Sequence, residues 1–170
     1  MRMIDVLVLD EREAQTFSGE KRKIFSHPER KRSLERIDNL DLTKPLWATQ
    51  RSVEDDGEGW TPEQAKEAER WYKMFLKLYV LCPDANIVPP KHADRLWHAH
   101  ILHTVQYHID CNNVFGKYLH HYPYDKDNVK QETMEELRGK VDRTASLFFE
   151  HFGEAPDVFH WFCWNNCSVT

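Results

Sequence analysis

Glycine is scarce in this chain, 6 of 170 residues, and neither a low-complexity tract nor an internal repeat is visible. Repeat architectures and flexible low-complexity arms are therefore excluded. Long apolar runs are missing too; none approaches the roughly 20 residues that a membrane helix needs. The opening stretch MRMIDVLVLD is interrupted by Asp5 and Asp10, and no small-residue cleavage site follows it. It reads as neither a secretory signal nor an anchor, so a cytoplasmic location and no membrane partner are expected. Positive charge is in deficit: 23 Lys and Arg against 28 Asp and Glu give a net charge of −5. There is no strong nucleic-acid signal, because a general nucleic-acid binder carries a basic field. The four cysteines, Cys82, Cys111, Cys163 and Cys167, are expected as thiols or ligands before disulfides, given the location inferred above.

What is present is an ordinary globular composition, 41% hydrophobic and 30% charged, at a length that suits one domain and one sizeable core. The single domain, 1–170, divides into a charged N-terminal segment (1–59), a helical histidine-rich core (60–153) and an aromatic, cysteine-bearing tail (154–170). The N-terminal third is the least regular. Ile4, Val6 and Val8 suit a short strand or a helical turn equally. The basic run within 20–36 reads as a solvated helix face in preference to a site for an anionic partner, and 51–60 reads as a loop.

The fold class is all-α, a compact bundle of three main helices at about 62–82, 91–112 and 127–152. Thr61-Pro62-Glu63-Gln64 supplies an N-cap, a proline at the first helical position and a capping-box glutamine. Ala68, Trp71, Tyr72, Phe75, Leu76 and Tyr79 then mark one buried face, and Pro83 stops the helix. Pro90 opens the second helix, and Asn112, Asn113 and Gly116 suit its end. Asp125 or Asp127 can cap the third. Its stripe is Val129, Met134, Leu137, Val141, Ala145, Phe148 and Phe152, with Gly153 as a C-terminal stop. The tail aromatics Phe159, Trp161, Phe162 and Trp164 are expected to pack on the helices, since exposure would forfeit about 1.5–3 kcal/mol each. His160, Cys163 and Cys167 could share a helical face and a soft metal; Cys163 and Cys167 could instead form a redox disulfide, or be one buried and one exposed thiol.

Histidine is the anomaly. Seven of the ten fall in thirty residues: His92, His98, His100, His103, His108, His120 and His121. Imidazole is the common nitrogen ligand of zinc, copper and non-heme iron. At about 100° per residue, helical positions four apart share a face and positions two apart diverge. Asp94 and His98 can therefore act together, whereas His98 and His100 cannot pool on one ion in a regular helix. His100 and His103 form a competing pair, with Tyr107 further along their face. His120 or His121, after the turn that Gly116 permits, would add the next ligand to either set. His92 and His108 read as surface or hydrogen-bonded residues, and Trp97 as core.

The run Trp71-Tyr72-Lys73-Met74-Phe75-Leu76 is followed by Ile87-Val88-Pro89-Pro90 and by Asp94-x-x-Trp97-His98-x-His100-Ile101-Leu102. Thr104, Tyr107, Asp110-Cys111, Phe115-Gly116 and Leu119-His120-His121-x-Pro123 come after it. Over this third of the chain the sequence resembles the glycine-rich domain-containing protein-like family, whose shared segment is a domain of unknown function. The resemblance implies little about activity, but among the histidines its pattern maps onto His98, His100, His120 and His121 and not onto His92, His103 or His108. It thereby favours Asp94, His98 and one of His120 or His121. Larger plant members carry glycine-rich tails with proposed stress or nucleic-acid roles, and with 6 glycines this chain inherits no such expectation.

Two readings follow. In the first, Asp94, His98 and His121 or His120, with His100 as the alternative ligand, bind Fe(II) or Zn(II) and leave positions open. Iron would bring dioxygen chemistry on a small molecule or peptide, and zinc would bring hydrolysis with Tyr107 or a spare histidine as proton donor. No nucleotide cofactor is expected. In the second, the protein is a non-catalytic interaction module whose histidines are structural. A metal site should converge where water can reach it, whereas structural histidines should be fully hydrogen-bonded.

Overall fold

The computed structural model describes residues 26–121 and 134–157. Every regular element among them is helical: α1 (His27–Asp38), α2 (Thr43–Gln50), a short 3-10 turn (Val53–Asp55), α3 (Pro62–Leu81), α4 (Lys91–Leu102), α5 (Thr104–Phe115) and α6 (Met134–Phe152). The all-α class stands, with six helices where three main ones were expected. The N-terminal strand or helical turn, the caps at Asp125 or Asp127, the tail aromatics, and His160, Cys163 and Cys167 lie outside the described residues.

Helix α3 begins as its sequence dictates. The Gln64 N–H donates to Thr61 Oγ1 at 3.3 Å, and the Thr61 N–H donates to Gln64 Oε1 at 2.9 Å. The expected stripe is buried, apart from a half-buried Tyr79, but Ala65, Met74, Leu78 and Val80 are buried as well. Such wide burial marks a central helix, and α1, α2, α4 and α6 all pack against it. Its core partners include Trp97 of α4, 5.5 Å from Phe75 between ring centroids, and Phe148 of α6, 5.5 Å from Trp71.

Residues 26–59 hold more regular helix than their pattern suggests. In α1, Glu29 accepts from the Ser26 N–H at 3.1 Å, and Pro28 occupies the first turn. The inner face carries Ser33 and Ile37. Ser33 Oγ donates to the Val114 carbonyl at 2.7 Å, and the Arg36 guanidinium donates to that of Asn113. Helix α1 thus satisfies carbonyls that the last turn of α5 cannot pair internally. The expected third helix is described from Met134, and its Val141 and Phe148 are buried. The buried Thr144 holds the loop before α4 by accepting from the Val88 N–H at 3.1 Å.

The expected helix over 91–112 is corrected: it breaks at His103 (φ −84°, ψ 58°) into α4 and α5. The His103 N–H turns to the carbonyl of His100, at 3.0 Å. The Ala99 carbonyl accepts instead from His103 Nδ1, at 2.8 Å. The imidazole so replaces the backbone donor that the break removes. Helix α5 ends at Gly116, whose φ of 70° is the left-handed conformation favoured for glycine. The chain then returns toward α4 through residues 117–121.

Candidate metal centre

Asp94 and His98 lie one turn apart on α4, and the returning segment delivers His121 to the same spot. His121 Nε2 is 2.8 Å from Asp94 Oδ1 and 3.0 Å from His98 Nε2. His98 Nε2 is 3.7 Å from Asp94 Oδ2. One ligand atom from each residue lies within 4.8 Å of the others. Donors bound at about 2.0–2.2 Å to a common tetrahedral or octahedral ion sit roughly 3.0–3.5 Å from each other; the two contacts of His121 lie close to that range, and the Asp94–His98 separation is slightly wider.

Hydrogen bonding alone fits this arrangement poorly. An imidazole nitrogen has either one proton or one lone pair. His121 Nε2 faces both a carboxylate oxygen and a second Nε2, so one proton must serve two acceptors or one contact goes unmade. A cation at the centre would satisfy all three donors. Burial, partly opposed by Asp94, lowers the pKa of His98 and favours the neutral ligating form. The His98 side chain is 49% exposed and that of His121 is 11% exposed, so the cluster is anchored on one side and open to water on the other.

The other predicted residues are elsewhere. His100 points to the opposite side of α4 and is 2% exposed. Its Nδ1 is 3.1 Å from the hydroxyl of Tyr72 and its Nε2 is 3.1 Å from Asp110 Oδ2. A single neutral tautomer satisfies both contacts: the hydroxyl donates to Nδ1, and Nε2–H donates to the carboxylate. Burial lowers the pKa of His100 against the pull of Asp110, and pushes the Tyr72 hydroxyl well up. His120 is exposed and rests against Tyr118, with ring centroids 4.8 Å apart.

Tyr107 sits in the core at 1% exposure, where its hydroxyl donates to the Leu119 carbonyl and accepts from Trp97 Nε1 at 2.8 Å. Burial raises its pKa. The hydroxyl offered above as a proton donor is thus engaged within the core. Of the competing pair, His103 is engaged at the helix break. His92 stacks on Trp60 at 5.6 Å, and His108 bonds Asn112 at 2.9 Å.

Sequence reasoning missed the Tyr72–His100–Asp110 chain. Tyr72 stood in a hydrophobic stripe, and Asp110 faces His100 only because the helix breaks between them. It also missed the packing of Trp97 on His121, with centroids 4.4 Å apart.

A family model described as UCP032817-like matches residues 33–143, a span that contains every residue of this centre. The chain is also 33% identical over 92 residues to Glycine-rich domain-containing protein 1 of Arabidopsis thaliana. That alignment covers 52% of this chain and 11% of the plant protein, so the chain spans only a small part of that relative. No solved structure matches the chain. The family match covers most of the chain and agrees with the resemblance read from the residues themselves: the chain belongs to the UCP032817-like family.

Proposed function

We propose that this domain binds a transition-metal ion through Asp94, His98 and His121, as the centre of a metalloenzyme acting on a small molecule or peptide. The observation that carries the reading is the convergence of these three donors, two from one helical turn and one from 23 residues further on. Two histidines and one carboxylate with positions left open are the donor set of non-heme Fe(II) sites and also of catalytic zinc sites. A bound ion would supply Lewis acidity, or redox chemistry in the case of iron. The chain's own part is to hold Asp94 and His98 in helical register, to fix His121 against Trp97, and to leave the His98 side open to a substrate.

The alternative, an interaction module with structural histidines, describes His100 well, because that imidazole is buried with both nitrogens partnered. It accounts less well for the half-exposed cluster on the other side of the helix.

The test is metal analysis of protein purified without a histidine tag, followed by anaerobic reconstitution with Fe(II) and, separately, with Zn(II). Close to one ion per chain is expected in the parent and background content in His98→Ala. Background content in the parent after both reconstitutions would overturn the proposal. Metal that survives His98→Ala and disappears in His100→Ala would place the site on the wrong side of α4.

A further inference from the structure

His121 is the one proposed ligand that no helix holds. It follows Leu119 by two residues in an irregular stretch, so its place depends on what fixes Leu119. Tyr107 does this from α5: its hydroxyl donates to the buried Leu119 carbonyl while accepting from Trp97 Nε1. Trp97 lies on α4 between Asp94 and His98, and its ring packs edge-on against the ring of His121. The contacts close a circuit from α4 through Trp97 and Tyr107 to Leu119 and His121, and back to Asp94 and His98. Tyr107 is itself wedged between His100 and Tyr118, with centroids 4.9 and 5.1 Å away, so its hydroxyl has little freedom to turn elsewhere.

From this circuit we infer that Tyr107 is a positioning residue for the metal centre, setting the distance of His121 from Asp94 and His98 through the Leu119 carbonyl. The inference rests on the proposed metal reading for its effect on affinity, but its geometric content concerns His121 with or without an ion. Groups that orient metal ligands are typically worth about 10–100-fold in affinity. Tyr107→Phe keeps the ring and removes only the hydroxyl, leaving the Trp97 N–H and the Leu119 carbonyl without that partner. Tyr72→Phe is the matched control: it also deletes a fully buried hydroxyl bonded to a histidine-bearing network, but on the far side of α4.

The experiment titrates Co(II) into the parent and both variants, reading affinity and the visible ligand-field bands, with circular dichroism to confirm folding. Tyr107→Phe should weaken Co(II) binding by about 10–100-fold and shift the bands, while Tyr72→Phe loses thermal stability but keeps the parent affinity and spectrum. Parent-like Co(II) binding by folded Tyr107→Phe overturns the inference, as does equal weakening by Tyr72→Phe. A parent that binds no Co(II), Fe(II) or Zn(II) sinks the metal reading alone. Nuclear Overhauser contacts between the His121 and Trp97 rings of the metal-free protein then decide the positioning role: they should be lost in Tyr107→Phe, and their retention overturns it.

Discussion

His98 and His100 stand two residues apart on one helix, yet the structure predicts opposite consequences for their removal. The His100 imidazole is 2% exposed and bridges the hydroxyl of Tyr72, itself fully buried, to the Asp110 carboxylate. His100→Ala removes a hydrogen-bond partner from each of them. A buried polar group left unpaired costs about 1–3 kcal/mol, so the pair of losses comes to roughly 2–6 kcal/mol before any cavity cost. Asp110 keeps its bond from Gln106 at 3.0 Å, which holds the total toward the lower half of that range. At roughly 2–4 °C per kcal/mol for a chain of this size, the melting temperature should fall by about 5–15 °C.

His98→Ala deletes a side chain that is 49% exposed, and the expected change without metal is within about 0.5 kcal/mol. The ion narrows the gap between the two variants. Metal at a hundredfold excess over its dissociation constant stabilises the folded state by about 2.7 kcal/mol, or roughly 5–11 °C. His100→Ala should retain that increment from its lowered baseline, and His98→Ala should lose most of it. Differential scanning fluorimetry with and without Zn(II) measures all four quantities. Equal destabilisation of the two variants without metal would refute the separate roles of the two histidines, as would loss of the increment by folded His100→Ala with its retention by His98→Ala.

Two further outcomes follow from the same geometry. Because burial depresses the pKa of His100 below its ordinary 6.5, the unfolded chain takes up a proton that the folded chain resists. That contribution to stability is complete above pH 6.5 and is lost as the pH falls through the depressed value. His98, also depressed, acts in the same direction. The urea midpoint should therefore fall between about pH 7 and pH 5, more steeply in the parent than in His100→Gln; identical slopes would remove His100 from the account. At Gly116, φ is 70°, and alanine there costs roughly 1–2 kcal/mol. Gly116→Ala should melt several degrees lower with its helix content intact, and an unchanged midpoint would argue against a left-handed turn.

Much of this architecture was written locally. Thr61, Pro62 and Gln64 specify the start of α3 because the Thr61 and Gln64 side chains accept from N–H groups of the first turn and Pro62 has no N–H to leave unpaired there. Asp94 and His98 share a face because the helical period puts them there, and the same period separates His98 from His100. Gly116 and Gly153 both adopt the positive φ for which glycine is suited, 70° and 75°.

What stayed illegible depends on side-chain contacts that no local propensity signals. The break at His103 has no proline or glycine to announce it. It is supported by the His103 imidazole on the Ala99 carbonyl and by the bond from His100 to Asp110 across the break. Nothing local distinguished His120 from His121 either. In the irregular return segment neighbouring side chains point apart, and the burial of Leu119 beside Tyr107 sends His120 outward and His121 inward. The sequence alone therefore determined that α4 carries two separate histidine faces, a consequence of helical geometry. Only the tertiary structure decided which face receives a third donor and which is closed off as core, because that choice is made by Trp97, Tyr107 and Tyr72 packing across helices.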